Sequence, residues 1–399
     1  METQPVQLYR LASKAPHIIA LMLLSAFAQM GAILMTPALP EIAEYFGKSV
    51  GATQLVVTSF LLGYAIGQLI YGPLANRYGR KFSLYVGISI ATLGSLFSIL
   101  SSPMDSFSLL IAGRFLEAVG SSAGLAISFT MINDFYFEEQ ARRITGLLMI
   151  AFAIVPGVAV ALGGALVQYI NWHACFYFLL VYGLLLLYPA YLLPETLIKK
   201  DFSALRRHDI FQNYKEKFLN KKLIAFAFIA GFSSACVYVF GAEGPFIGIH
   251  ILHVQPAAYG LLGFTPYIGT LLGSFIVVRL SKFEPIFVLK IAFMIESIAA
   301  LIMFFLFFAH IITLYTLLIP MGIFCIGNPI MGATAASLSM RQSSDKSNAS
   351  AVMNFSSISM PVLMTFLLSA FHTQTGEMMP VIFLMALGFM VCVYRWMIK

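Results

Sequence analysis

Three carboxyl groups and one guanidinium lie in or at the edge of stretches too apolar to leave a charge unpaired. Arg114 and Glu117 sit inside Phe107–Ile132, Glu296 inside Pro285–Phe308, and Glu243 at the end of Leu223–Ala242. A charge in hydrocarbon costs several kcal/mol unless it is paired or hydrated, so each is a functional candidate. Burial favours the neutral carboxyl and a neighbouring guanidinium favours the carboxylate. A group balanced between the two can take up and release protons near neutrality. Arg114 and Glu117 are one helical turn apart and can face each other. They are either a proton-coupling pair or a structural tie between their helix and its neighbours. Glu296 lies about ten residues into its segment, roughly 15 Å at 1.5 Å per residue, and so near its middle. It is either a proton site or a group packed against adjacent helices. Glu243 falls in Gly241-Ala242-Glu243-Gly244-Pro245, whose composition predicts a broken backbone near the outer surface. No carboxylate pair, nucleophile with its base or metal-ligand cluster occurs at this depth, and no Gly-x-x-x-x-Gly-Lys-Ser/Thr loop is present. The pattern excludes an ATP-driven pump and argues against an enzyme, with no catalytic residues, no metal and no cofactor expected.

The elements that must position these groups follow from composition. Of 399 residues, 60% are hydrophobic and only 10% charged, where globular domains carry about 25% charged residues. The chain cannot make a soluble surface. Apolar stretches long enough to cross a membrane recur at His17–Leu39, Val50–Tyr71, Phe82–Ser101, Phe107–Ile132, Ile144–Tyr169 and Ala174–Leu193. After a polar, basic stretch come Leu223–Ala242, Ala257–Val278, Pro285–Phe308, Ile311–Ala336, Ala349–Phe371 and Met379–Met397. The first of them, preceded by Arg10 and Lys14 and containing Ala26-Phe27-Ala28, resembles a secretory signal. It runs on to Leu39 and is expected to be a retained helix.

With a cytoplasmic N-terminus, 22 of the 24 Lys and Arg residues fall on the inner side; only Lys48 lies outside, and Arg114 lies within a helix. That is the bias the positive-inside rule requires, so the even helix number and the orientation support each other. The net charge of +7 therefore implies an inner membrane surface and no nucleic acid, because the basic residues are spread over the loops. The expected units are residues 1–198, a cytoplasmic linker 199–222 and residues 223–399. In the linker, Phe211, Tyr214 and Phe218 recur at helical spacing among Arg206, Arg207, Lys215 and Lys217. This is either an amphipathic helix on an anionic leaflet or a plain solvated linker. Cys175, Cys236, Cys325 and Cys392 sit in apolar segments and read as small apolar side chains.

Between the second and third segments, Gly72-Pro73-Leu74-Ala75-Asn76-Arg77-Tyr78-Gly79-Arg80-Lys81 resembles the signature loop of the major facilitator superfamily. Its glycines permit a tight turn, and its basic residues are placed to anchor at the inner face and pair across the halves. Arg279-Leu280-Ser281-Lys282 is a weaker echo where an internal repeat places it. Gly113-Arg114-Phe115-Leu116-Glu117 resembles the family's fourth-helix motif, in which Gln usually stands three residues after the Arg. Pro156-Gly157 and Gly163-Gly164 are similar to the fifth-helix motif of antiporters, with Val155 in place of its leading Gly. Such small residues also serve packing alone. Pro37-Ala38-Leu39-Pro40-Glu41-Ile42-Ala43 and Leu193-Pro194-Glu195-Thr196-Leu197 resemble the Bcr/CflA-type drug-resistance transporters.

The resemblance implies an all-α integral membrane fold of twelve transmembrane helices in two pseudo-symmetric six-helix bundles, with both termini cytoplasmic. It implies a bacterial inner-membrane transporter, acting as a monomer in the lipid bilayer, that exports drugs or metabolites in exchange for protons. The cavity would be lined from the first, fourth, seventh and tenth helices, with Gln29, Met30, Asn133, Tyr238, Phe240, Asn328 and Met331 as candidate liners. Met and aromatic side chains suit a large apolar substrate, although any one of these is equally a packing residue. His250, His253 and His310 read as structural. Two positions depart from the family. Asn76 replaces an Asp that locks the cytoplasmic side, and Ile33 replaces the Asp four residues before Pro-Ala-Leu-Pro, which leaves no acid between His17 and Leu39. Glu117 is the expected substitute, with Arg114 released from it on protonation. The alternative is a dedicated metabolite or siderophore carrier, facilitator or importer, without that coupling.

Overall fold

The computed structural model describes residues 15–198, 200–202, 204–343, 345–371 and 376–398. Arg10, Lys14, Lys199 and Lys399, assigned above to the inner side, lie outside these. Every apolar segment forms a helix. In chain order these are α1 (Ile18–Tyr45), α2 (Val50–Tyr78), α3 (Arg80–Leu100), α4 (Phe107–Phe135), α5 (Glu138–Tyr169) and α6 (His173–Leu192). The short α7 (Arg207–Phe218) leads to α8 (Lys221–Ile251), α9 (Pro256–Leu280), α10 (Pro285–Phe308), α11 (Leu314–Met340), α12 (Lys346–Ala370) and α13 (Met378–Ile398). Twelve of them are long and apolar enough to cross a membrane, and the described residues form no strand. With no water to satisfy backbone groups in hydrocarbon, helices are the form open to such segments.

Several helices run past the apolar limits read from sequence, because polar residues continue the helical bonding outside hydrocarbon. Polar caps set many of the starts: Ser49 accepts from Ala52 N, Ser106 from Leu109 N and Asn220 from Leu223 N. In α1, Pro37 and Pro40 turn the helix through a tight 3₁₀ segment, Thr36–Ala38, before it resumes. The backbone break expected at Gly241–Pro245 does not occur. Pro245 takes ordinary helical angles, and a wider π turn, Phe246–Ile251, follows it. The glycines here serve packing instead: a Cβ at Gly244 would collide with the Tyr259 hydroxyl, and one at Gly248 with the Tyr259 ring.

Close helix approach defines the first half. Gly87 and Gly94 of α3 face Gly113, Glu117 and Gly120 of α4 so tightly that an added Cβ would strike backbone, the small-residue mode of membrane packing. Two seams join the halves: α2 packs along α12, and α5 against α9. Gly163 lies on the Leu34 carbonyl of α1 and Gly164 on the Pro256 carbonyl of α9, while Gly157 faces the Phe264 ring.

The linker forms a helix over Arg207–Phe218. Tyr214 is buried and donates to the Leu69 carbonyl of α2 at 3.0 Å, and Phe218 packs edge-on against Phe355 of α12. Burial and the nearby Asp345 push the Tyr214 phenol up to about 12, which keeps it a donor. Phe211 remains exposed. This helix rests on the ends of the bundles through Tyr214 and Phe218.

Because Gly163 touches backbone whereas Gly388 has open space around it, the two should respond oppositely to Ala. Gly163→Ala should lower the thermal midpoint by a few degrees, as overpacking typically costs about 1–3 kcal/mol. Gly388→Ala should leave it unchanged or raise it. Thermal unfolding followed by tryptophan fluorescence checks both.

Candidate functional site

The expected intramembrane pair is formed. Arg114 Nη1 donates to Glu117 Oε2 at 2.8 Å, and both side chains are fully buried. Arg114 Nη2 donates to the Gly31 carbonyl of α1 at 2.6 Å. The guanidinium also lies over the Phe60 ring of α2 at 4.3 Å and 5.9 Å from the Phe176 ring of α6, a desolvated cation–π arrangement. Local sequence makes this possible. Gly94 lets α3 meet the backbone of α4 at Glu117, and a Cβ at Gly31 would fall 2.8 Å from Glu117 Oε1. Among the described residues, Arg114 Nε and Glu117 Oε1 have no hydrogen-bond partner. The pair is thus fully buried and only partly satisfied among the described residues, with spare hydrogen-bonding capacity on both sides. Ile33, in the position of the missing acid, is buried as an apolar side chain.

A second carboxyl, Glu296 of α10, is also fully buried and accepts from the Ser233 hydroxyl of α8. Asn328 of α11, a candidate cavity liner, donates to that same hydroxyl. Glu243 lies on the boundary between the halves, where Gln54 Nε2 of α2 donates to its Oε2. Further hydrogen bonds tie the halves. Thr58 and Thr365 bond at 3.0 Å and Gln168 donates to Gln255 at 3.0 Å, while Asn354 reaches Gln68 at 3.4 Å. The first two, with Gln54–Glu243, lie toward the end opposite the basic loops. Of the other candidate liners, Tyr238 of α8 is in hydrogen-bonding contact with Gln29 of α1. Phe240 and Met331 are buried, Met30 is partly exposed and Asn133 is exposed.

The signature loop is built on one left-handed glycine. Gly79, with φ +112°, is the single residue between α2 and α3. A Cβ there would run into the Glu195 carboxylate. Glu195 caps α3, accepting from the backbone of Arg80 at 2.9 Å and Lys81 at 3.1 Å. The Arg80 guanidinium pairs with Asp134 at the end of α4 at 2.9 Å, and also donates to the Ala75 carbonyl and Asn76 Oδ1. Thr196 joins by donating to Asp134 at 2.9 Å. Arg77 donates to the Phe202 carbonyl and Lys81 to the Tyr191 carbonyl. Among the described residues, the partners of these basic groups belong to the first half and the linker rather than to the other half. Asp134, Gln54 and Ser233 were not singled out from sequence, and Glu195 only as part of a motif without a capping role. For Asp134 and Glu195 a signal existed, since both flank the inner surface opposite a basic loop. Gln54 and Ser233 are single polar residues in apolar segments and give none.

The Glu195 carboxylate serves as an N-terminal cap, and a lost cap costs about 1 kcal/mol. Glu195→Ala should therefore lower thermal stability clearly, and Glu195→Gln, which keeps one acceptor, by less. Equal loss in both, measured by thermal unfolding of the purified variants, would remove the capping role.

Known proteins place this geometry. The family model described as Major Facilitator Superfamily matches residues 21–249. An uncharacterized transporter of Rickettsia felis is 32% identical over 244 residues, covering 61% of this chain and 59% of that protein. The match thus spans about three fifths of that relative's length. A bicyclomycin resistance protein homolog of Haemophilus influenzae is 27% identical over 286 residues, 71% of each chain. Among solved structures, a D-xylose–proton symporter aligns over 95% of this chain and 97% of its own with a TM-score of 0.74. At 12% identity that likeness concerns the fold alone.

Proposed function

Because the chain belongs to the major facilitator superfamily, whose members are transporters and not enzymes, we propose that it is a proton-coupled exporter of small organic solutes. It is an integral membrane protein, and the basic loops support cytoplasmic termini in a bacterial inner membrane. In this reading the halves 1–198 and 223–399 alternate about the α2–α12 and α5–α9 seams, exposing a central site to each side in turn. The relative named for bicyclomycin resistance supports a drug-like substrate.

The observation that carries the coupling is the fully buried Arg114–Glu117 pair. Opposite charges about 4 Å apart attract by about 4 kcal/mol at an effective dielectric of 20. Desolvation costs several kcal/mol for each ion. The two effects are of the same order, so a proton on Glu117 tips the balance and frees the guanidinium. The Gly31 carbonyl is the other hydrogen-bond partner of Arg114, which links the freed guanidinium to α1 and hence to the central site. Ile33 favours a second reading: with no acid in the apolar part of α1, the protein could carry a metabolite or siderophore down its gradient.

Vesicles with an imposed pH gradient separate the two. A transported solute is first identified by screening for thermal stabilisation of the purified protein, with bicyclomycin as the starting probe. Wild type should move it against its gradient when the pH gradient is imposed. Glu117→Gln, which still accepts from Arg114, should fold and bind but lose this coupled movement to background. Proton-driven transport surviving in Glu117→Gln would rule Glu117 out as the coupling group, and transport indifferent to the pH gradient in wild type would favour the facilitator.

A further inference from the structure

The second half holds a buried carboxyl with no cation beside it among the described residues. Glu296 is fully buried, and its Oε1 accepts from the Ser233 hydroxyl. That hydroxyl accepts in turn from Asn328 Nδ2 at 2.9 Å. A hydroxyl has a single hydrogen, so the chain has one direction: Asn328 donates to Ser233, and Ser233 to Glu296. Glu296 Oε2 has no hydrogen-bond partner among the described residues. Among the described residues, the titratable groups facing it are the thiols Cys236 of α8 and Cys325 of α11. On α13, which also packs on α10, Cys392 is exposed and Tyr394 and Arg395 lie near the C-terminal end. None of the salt bridges among the described residues includes Glu296. Gly327 of α11 abuts its side-chain stem, where a Cβ would lie 2.7 Å from Cγ, so the pocket has no room for a larger neutralising side chain at that point.

A carboxylate taken from water with one hydroxyl donor and no cation is strongly disfavoured against the neutral acid. We infer that Glu296 is a second, exchangeable proton site in the second half, loaded in this conformation, with Ser233 and Asn328 as the donors that steady its carboxylate once the proton leaves. Asn328 is only partly buried, so the chain of bonds leads from an accessible amide to the closed acid. On release the O–H bond of the acid breaks, the electron pair stays on the carboxylate, and the proton passes directly to a water molecule admitted at Oε2, the oxygen with no partner among the described residues. Each half then carries a fully buried carboxyl, Glu117 beside Arg114 and Glu296 with no cation beside it among the described residues. This extends the proton-coupled reading without relying on Glu117 being the coupling group.

Infrared difference spectroscopy of the purified, reconstituted full chain tests this without a substrate. Wild type should show the C=O stretch of a protonated carboxyl at neutral pH. That band should vanish in Glu296→Gln and persist in Glu117→Gln. Raising the pH should convert it to carboxylate bands. Ser233→Ala should shift it to higher frequency by removing the hydrogen bond to its carbonyl, and this variant decides the matter if Glu296→Gln does not fold. A band untouched by the folded variants, or one that persists at every pH at which the protein stays folded, overturns the inference. The coupling role of Glu117 is scored by transport, so either idea can fail alone.

Discussion

A guanidinium buried completely in an apolar bundle constrains everything around it. Arg114 must have a carboxylate, and Glu117 on the same helix supplies it at 2.8 Å. Those two groups need backbone and aromatic neighbours within reach, and these come from α1 through the Gly31 carbonyl and from α2 through the Phe60 ring. That proximity demands small residues where helices meet. Gly31 leaves space for the Glu117 carboxylate, and Gly94 lets α3 close on the backbone at Glu117. The packing of the first half is thus organised by one ion pair. Removing one member of such a pair typically costs about 3–5 kcal/mol, so both have structural weight as well as a proposed function.

The contacts between the halves are of another kind. Thr58–Thr365, Gln168–Gln255 and Gln54–Glu243 are hydrogen bonds rather than interlocked apolar surfaces alone. A net hydrogen bond contributes about 1 kcal/mol, and water at an opened seam replaces it readily. Such bonds suit surfaces that must separate and rejoin. The basic loop differs again: its ion pair, Arg80–Asp134, and its cap, Glu195, hold the first half together internally. With Asn76 in place of Asp, this loop anchors its own bundle and leaves the joining of the halves to the seams.

Much of this was legible in the sequence because hydrocarbon imposes a simple code. Apolar length located all twelve spanning helices, and the signature loop and the Arg114–Glu117 spacing located the charged features. Three things were hidden for physical reasons. The Gly241–Pro245 run looks like a breaker only when water competes for the backbone; against Tyr259 it is a packing surface. The partners of Arg80 and Glu296 lie 54 and 63 residues away along the chain, beyond any local period. Ser233 carries no signal of its own, since a lone serine in a membrane helix more often bonds its own backbone, as Ser25 does.

The central claim is that protonation of Glu117 frees Arg114. Arginine labelled with nitrogen-15 reports this directly, with the Arg114 guanidinium signals assigned by their loss in Arg114→Lys. If the pair opens on protonation, the Arg114 Nη resonances should move as the pH is lowered in wild type. In Glu117→Gln they should sit at a fixed position independent of pH. Arg114 resonances that do not move across the whole range in which the wild-type protein stays folded would contradict the claim and leave the pair a purely structural tie.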